Sequence, residues 1–500
     1  MDTSLVLWAA SVTLLATVII ARTWGMKRSG QRGHRLPAGC RGWPLVGETL
    51  QFVSCAYSPR PERFMDKRTL MYGKVFRSHL FGSPTIVSTD AEVSRCILQS
   101  DARTFVPWYP KSLTELMGKS SILLINGNLQ RRVHGLIGAF FKSSDLKAQI
   151  TRDMQSYVQE SMINWQDDQL IRIQDETKKI IFQILVKGLI GLEPGKEMQL
   201  LKQQFKEFIA GLMSLPVKLP GSRLYRSLQA SRPPIHSAKK KMVMLIKSII
   251  EEKRKNKFGC APRDVVDVLI NDASGQLTDN LISDNMIDLM IPAEDSVPVL
   301  VTLAVKYLSE CPLALQHLEE ENTRLEKRRS MLGGELQWAD YMSLSFTQHV
   351  ITETLRMGNI ISGIMRKAVK DVEIRGHLIP KGWCVFTYFR SVHLDEKHYE
   401  EAYKFNPWRW KRLLLLLLLH HLLLPPVGAP QDKDMSSCGF TPFGGGQRLC
   451  PGLDLARLEA SIFLHHLVTN FTWVAEEDHI VNFPTVRMKG GMPIRVRRRS

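Results

Sequence analysis

The feature that most constrains this chain is a glycine-rich loop that presents a cysteine at the start of a helical pattern. The loop reads FGGGQRLCPG from Phe443 to Gly452, and apolar residues follow Cys450 at helical spacing. Glycines let a backbone approach a flat ligand closely, and free N–H groups at a helix N-terminus lower the pKa of a thiol. The loop therefore predicts a thiolate ligand for iron. A cysteine in an ordinary buried turn would not need Phe443, Arg448 and Gly452 around it.

Composition indicates a large globular protein. The chain has 500 residues, 44% of them hydrophobic and 23% charged, which excludes disordered, collagenous and small disulfide-stapled classes. Its eight cysteines form no CxxC pair, so a reducing compartment is favoured and a structural zinc site is not. The net charge of +18 would suit nucleic acid, an anionic membrane or an acidic protein partner.

The N-terminal segment favours the anionic membrane among these partners. An apolar stretch from Leu5 to Ala21 is followed by basic residues that begin at Arg22, and about 17 apolar residues is the lower limit for crossing a bilayer. We predict a membrane anchor over residues 1–21, a basic and Pro/Gly-rich hinge over 22–50 and a cytosolic body over 51–500. A cleaved signal peptide is the alternative, but a positive leading region is absent. Basic flanks bind anionic lipid, so no nucleic acid partner is expected.

The body is predicted to be mainly α with small β-sheets. Helical periodicity covers residues 144–163, 170–192, 235–255, 280–310 and 340–357. Strand pairs are predicted over 74–88, with a turn at Gly82-Ser83-Pro84, and over 372–386. Residues 412–431 are a leucine-rich, low-complexity insertion, too short in its apolar part to span a bilayer. A second membrane contact is the alternative for that segment.

Two further motifs give the loop a family context. Glu353-x-x-Arg356 and a Pro-x-Arg element containing Arg409 precede it in the chain, and in this order the three motifs resemble the cytochrome P-450 superfamily. The resemblance implies the cytochrome P-450 fold, with an N-terminal transmembrane helix here, and heme b bound through the Cys450 thiolate. It implies that Glu353, Arg356 and Arg409 form a buried ion network. The implied haem contacts of the loop are Phe443, Gly446, Arg448 and Gly452.

The resemblance also places the oxygen-activating residues. They match Ala293-Glu294-Asp295-Ser296, in which Glu294, Asp295 and Ser296 are the expected catalytic residues and supply protons during oxygen activation. A solvated acidic turn is the alternative. Serine replaces the threonine usual in the family, and Pro292 and Pro298 predict a kinked helix at this point.

The haem propionates need cations, and one motif that supplies such a cation in the family is altered in this sequence. The usual Trp-x-x-x-Arg corresponds here to residues 130–134, in which His134 takes the arginine position. Arg131 is expected to assist it. Arg366 and Arg448 are the other expected propionate partners.

Closer similarity is to plant microsomal members of brassinosteroid biosynthesis that hydroxylate a steroid side chain at C-23. It implies an endoplasmic reticulum membrane protein that takes electrons from NADPH-cytochrome P-450 reductase and uses O2. The steroid is expected to lie under residues 105–117. The expected pocket residues are Ala293, Ile360, Ile361, Ile364, Thr485 and Val486. Alternatives are a hydroxylase of another plant terpenoid hormone, of the gibberellin or abscisic acid type, or a haem protein inactivated by the leucine-rich insertion.

Overall fold

The structure is a computed structural model that describes residues 36–43, 46–212, 223–255, 261–411 and 439–499. The predicted anchor at 1–21, most of the predicted hinge and the leucine-rich segment 412–431 lie outside these residues. Within the described ranges, no single helix meets the length and hydropathy expected of a membrane span, although the bent pair Asp279–Ser309 and Pro312–Leu332 does so jointly, at an angle of 115°.

Helices form most of the described chain, as predicted. They are α1 (Thr49–Ala56), α2 (Arg63–Tyr72), α3 (Ala91–Gln99), α4 (Lys111–Met117), α5 (Gly127–Phe141), α6 (Ser144–Ile163), α7 (Ile173–Ile190), α8 (Lys196–Leu212), α9 (Arg223–Lys255), α10 (Val265–Ile270), α11 (Asp279–Met290), α12 (Pro292–Asp295), α13 (Val297–Ser309), α14 (Pro312–Leu332), α15 (Trp338–Met342), α16 (Ser345–Gly358), α17 (Phe389–His393) and α18 (Leu453–Asn470).

The strands are short. They are β1 (Val75–Leu80), β2 (Ser83–Ser88), β3 (Phe105–Pro107), β4 (Leu170–Arg172), β5 (Gly363–Ala368), β6 (Val372–Ile374), β7 (His377–Ile379), β8 (Cys384–Tyr388), β9 (Phe471–Ala475), β10 (Ile480–Val481), β11 (Arg487–Met488) and β12 (Pro493–Arg498). The largest sheet has the order β1-β2-β8-β5-β3, in which only the β2–β8 pair is parallel. The strands β4, β12 and β9 form a second sheet, and β6–β7 and β10–β11 are separate pairs.

Several predicted boundaries are wrong for identifiable reasons. The first hairpin turns at Phe81 and Gly82, both with positive φ, so Ser83 and Pro84 belong to β2. Such a two-residue turn matches the natural twist of the strands. Residues 170–172 form β4 because they pair with β12. The helix predicted over 340–357 is two helices, α15 and α16, and residues 372–386 contain the β6–β7 pair and most of β8.

The centre of the fold is α13, whose residues are nearly all buried. It packs against α7, α16 and α18. The helix predicted over 280–310 is divided into α11, α12 and α13, and prolines lie in the first turns of α12 and α13. Ser296, between α12 and α13, has non-helical angles of φ −123° and ψ −74°. The expected kink is therefore present, next to the predicted catalytic residues.

Candidate active site around Cys450

The cysteine loop is a closed turn held against α3. The backbone N–H of Cys450 donates to the carbonyl oxygen of Phe443 at 3.1 Å, which closes the loop. Gly446 has φ +64°, and a Cβ there would lie 2.2 Å from the carbonyl oxygen of Leu98 in α3. Only glycine fits this approach. Gly452 then caps α18, so the cysteine precedes the helix as the sequence predicts.

The pKa of the Cys450 thiol differs from the sequence-based expectation that the helix N-terminus lowers it. Burial raises the pKa of this thiol, and a hydrogen bond from the backbone N–H of Gly452 opposes the shift without cancelling it. The helix N-terminus therefore does not lower the pKa of the isolated thiol below its usual value. A metal cation stabilises a thiolate directly, so iron bound to Cys450 would favour the ionised form.

Cys450 and Ser296 line the same cavity, which has a volume of about 370 Å³. Phe443, Gly452 and neighbouring loop residues lie on the cysteine side. Apolar residues supply most of the remaining wall. They include Leu123, Leu185, Leu289, Val297, Leu300, Ile360, Ile361, Ile364 and Phe389. The cavity therefore places the Cys450 thiol at one side of a hydrophobic chamber.

Arg366 and Arg448 bring two positive charges to this cavity. Ile364 and Arg366 share one face of β5, and both line the cavity. The Arg448 guanidinium donates to the carbonyl oxygens of Ile122 and Ile125. Burial, and then the charge of Arg366, lower the pKa of Arg448 to about 10. The two cations thus lie close together in a buried site.

A haem fits this set of residues. Cys450 would hold its iron, and the propionates would neutralise Arg366 and Arg448, whose mutual repulsion calls for anions. The Tyr109 hydroxyl lies near both cations, and burial raises the pKa of Tyr109. Sequence reasoning missed Tyr109, because no motif surrounds it.

The predicted contacts from α5 need correction. The His134 Nε2 atom lies 2.8 Å from the carbonyl oxygen of Leu449, so this side chain supports the cysteine loop even though it also lines the cavity. Gln130, one helical turn earlier, donates to the carbonyl oxygen of Gln447 at 3.1 Å. Arg131 points away from that face, is exposed and donates to Asn128. It lies outside the cavity lining, so the structure does not bring it to the other expected haem contacts.

The three residues of the segment Glu294-Asp295-Ser296 lie in three different environments. Ser296 lines the cavity. Asp295 does not line the cavity, and burial raises the pKa of its carboxyl group to about 6. The Glu294 carboxylate also lies outside the lining and pairs with Lys178 of α7 at 2.6 Å. Ser296 is therefore the member of this segment that faces the cavity, whereas Glu294 attaches the broken helix to α7.

Some of the predicted pocket residues line the cavity and others do not. Ile360, Ile361 and Ile364 line the cavity. Ala293 and Val486 instead pack in the main core, and Thr485 is outside the lining. The missed residues Asp288 and Glu459 both line it and are buried acids. An acid within an apolar helical pattern was the available signal for each of them.

The ion network of Glu353 lies beneath the cysteine loop. The Glu353 carboxylate is fully buried and accepts hydrogen bonds from Arg356 at 2.7 and 2.9 Å and from Arg409 at 3.0 Å. The Trp410 indole N–H and the Asn406 backbone N–H add two more bonds. The carboxylate thereby joins α16 to the segment around residues 406–410.

His393 connects this network to the loop. Its Nδ1 atom lies 2.7 Å from Asn359 Oδ1, and its Nε2 atom accepts a hydrogen bond from the Thr441 backbone N–H at 3.1 Å. Its carbonyl oxygen accepts from Arg356. Burial, followed by the charges of Arg356 and Arg390, lowers the pKa of His393 to about 3.

Acidification is expected to destabilise the fold through His393. The unfolded chain takes up a proton below pH of about 6.5, whereas the folded imidazole stays neutral down to about 3. Its contribution to the free energy of unfolding is therefore complete above pH of about 6.5 and falls as the pH approaches 3. Denaturant unfolding at several pH values should show a shallower slope for His393→Gln. The exposed His398→Gln variant should keep the wild-type slope, and equal slopes for all three proteins would contradict the prediction.

Comparisons with known proteins agree with this geometry. The family model described as cytochrome P-450 matches residues 37–493. Cytochrome P-450 90D2 of Oryza sativa subsp. japonica is 70% identical over 92% of this chain and 89% of the relative. A 3-epi-6-deoxocathasterone 23-monooxygenase of Arabidopsis thaliana is 57% identical over 94% of this chain and 91% of the relative. The retinoic acid-bound cyanobacterial CYP120A1 structure has a TM-score of 0.75 at 22% identity, covers 93% of this chain and 100% of that chain, and agrees in fold.

Proposed function

This chain belongs to the cytochrome P-450 family, and from that premise we propose that it hydroxylates a steroid side chain at C-23 in brassinosteroid biosynthesis. The observation that carries the proposal is the 57% identity to a 3-epi-6-deoxocathasterone 23-monooxygenase over 94% of the chain. The cavity supports it, because a predominantly apolar wall that includes Leu300 and Ile360 suits a steroid.

The residues around the cavity would have different roles in such a reaction. When bound as heme b through Cys450, the haem would activate O2 and insert one oxygen atom into a C–H bond. Arg366 and Arg448 would bind its propionates. The apolar wall would bind the steroid and exclude water, while the Ser296 hydroxyl would pass protons into the cavity, with the neighbouring Asp295 as the acid that supplies them.

Electrons in this proposal come from NADPH-cytochrome P-450 reductase, and a single anchor at residues 1–21 holds the protein in the endoplasmic reticulum membrane. The apolar stretch from Leu5 to Ala21 and the basic residues after it support the cytosolic orientation of the body. A carboxylate-bearing terpenoid hormone fits less well. The propionates would pair with Arg366 and Arg448, and no other arginine or lysine of the described residues lines the cavity, so a second carboxylate would lack a cation.

Reconstitution tests the proposal. The full chain in membranes, supplied with NADPH-cytochrome P-450 reductase, NADPH and 3-epi-6-deoxocathasterone, is expected to form a product whose NMR spectrum places a new hydroxyl at C-23. Hydroxylation at another carbon would contradict the position. Faster turnover of a gibberellin or abscisic acid would contradict the steroid assignment.

Replacing Ser296 with alanine is expected to uncouple O2 consumption from product formation. Removal of the hydroxyl takes away a proton donor from the cavity, and positioned proton transfer contributes roughly 100-fold or more to rate. Steroid affinity, measured by the spectral binding shift, should change little. The matched variant Ser296→Thr keeps a hydroxyl and should stay coupled. Full coupling in Ser296→Ala would assign proton delivery to another group.

A further inference from the structure

Asp288 is a buried acid in the wall of the apolar cavity. It lies on α11, is only 6% exposed, and lines the chamber together with Leu123, Leu289 and Pro292. Its Oδ2 atom is buried and has no hydrogen-bond partner among the residues that the structure describes. A buried polar atom of this kind destabilises the protein unless something bonds to it. The vacant acceptor points to a ligand group.

Among the described residues, none forms an ion pair with this acid. Lys239 of α9 is a nearby cation, but it pairs with Asp284 at 2.8 Å and donates to the carbonyl oxygen of Met117. The Ser121 hydroxyl and the Ile122 backbone N–H stabilise the charged carboxylate only in part. Burial is the larger effect and raises the pKa of Asp288 to about 7. Near neutral pH both the protonated and the ionised form of the carboxyl group are therefore populated.

We propose that Asp288 binds a hydroxyl group of the steroid and so sets how the substrate lies in the cavity. This inference rests on the proposed function, because it deepens the choice of substrate at the same site. An aliphatic hydroxyl can donate to a carboxylate oxygen and can also accept from a protonated carboxyl group. A steroid has few polar groups, so one such bond in a dry chamber discriminates strongly between substrates with and without the hydroxyl.

Two hydroxyl groups of a hydroxysteroid have this chemistry. One is the ring hydroxyl at C-3, and the other is a side-chain hydroxyl at C-22, next to the carbon that is oxidised. The two hydroxyls offer Asp288 the same hydrogen-bonding chemistry, and the binding test distinguishes them.

The test compares binding of three steroids to the haem-loaded full chain. They are a 3,22-dihydroxysteroid, its 22-deoxy analogue and its 3-deoxy analogue, each titrated by the spectral binding shift. Wild type is expected to bind the dihydroxysteroid roughly tenfold more tightly than one of the deoxy analogues. In Asp288→Leu that preference should fall to about onefold, because the carboxyl group that recognises the hydroxyl is gone. Asp288→Asn, which keeps hydrogen-bonding capacity at nearly the same size, should retain part of it.

Asp279→Asn is the matched control, because Asp279 begins α11, pairs with Arg254 and does not line the cavity. It should keep the wild-type preference. The analogue whose discrimination disappears in Asp288→Leu identifies the bound hydroxyl. If Asp288→Leu does not load haem, a wild-type ratio in Asp288→Asn together with wild-type regioselectivity would overturn the inference. Preferences unchanged in Asp288→Leu would also overturn it, while leaving the proposed function intact. A wild-type protein that binds none of the steroids would contradict both.

Discussion

Replacing Cys450 with alanine is expected to abolish steroid hydroxylation and to remove most of the bound haem. Cys450 is the cysteine that lines the cavity beside Phe443 and Gly452, and alanine offers no ligand to iron. A thiolate also donates electron density that favours O–O cleavage, which no neutral ligand replaces. Haem content per protein and product formation with reductase are the two measurements.

Two variants separate ligation from folding in that experiment. Cys450→His can bind iron through imidazole, so it is expected to recover some haem but no hydroxylation. Cys384→Ala removes another buried cysteine, in β8, whose thiol has a pKa that burial raises to about 11. This variant should keep both haem and activity. Hydroxylation at the wild-type rate by Cys450→Ala would contradict the assignment of the ligand.

Replacing Glu353 with glutamine is expected to lower the free energy of unfolding by roughly 3–5 kcal/mol. The Glu353 carboxylate bonds to Arg356, Arg409, Trp410 and the Asn406 N–H, and both Glu353 and Arg356 are 0% exposed. Glutamine has nearly the same shape but leaves the Arg356 guanidinium buried without a negative partner. Because Arg356 also donates to the carbonyl oxygen of His393, haem retention should fall as well.

Chemical denaturation of the haem protein measures this loss. The control is Glu401→Gln, which removes an exposed carboxylate paired with Lys404 at i,i+3. Exposed pairs of this kind contribute about 0–1 kcal/mol, so the control should remain close to wild type. A loss in Glu353→Gln no larger than that of Glu401→Gln would show that the network does not support the fold as argued.

Local sequence patterns predicted the elements whose causes are local. The helix expected over residues 144–163 is α6 with the same bounds, because its apolar spacing and the Ser143 N-cap define it. Pro292 and Pro298 predicted the interruption at Ser296 for the same reason. By contrast, β4 and β5 depend on partners more than ten residues away in the chain, β12, β8 and β3. Short segments carry little information about such pairing.

At the site, too, local patterns were predictable from the sequence and tertiary contacts were not. The loop from Phe443 to Gly452 has a dense local pattern, and its residues lie where the sequence places them around the cavity or the turn. Arg131 lies outside the cavity lining, because position in a motif does not determine which face of α5 a side chain occupies. Asp288, Tyr109 and His393 were missed because each becomes notable only through the side chains that tertiary packing brings around it.

The carbon monoxide difference spectrum of the reduced, membrane-expressed full chain tests the central claim most directly. A thiolate-ligated haem gives a red-shifted Soret band, and we expect the wild-type protein to show that band with Cys450 as the ligand. The red-shifted band would also show that a chain containing residues 412–431 assembles the site. A band at the unshifted position, or no band, would contradict the haem-thiolate account and favour a haem protein without monooxygenase activity.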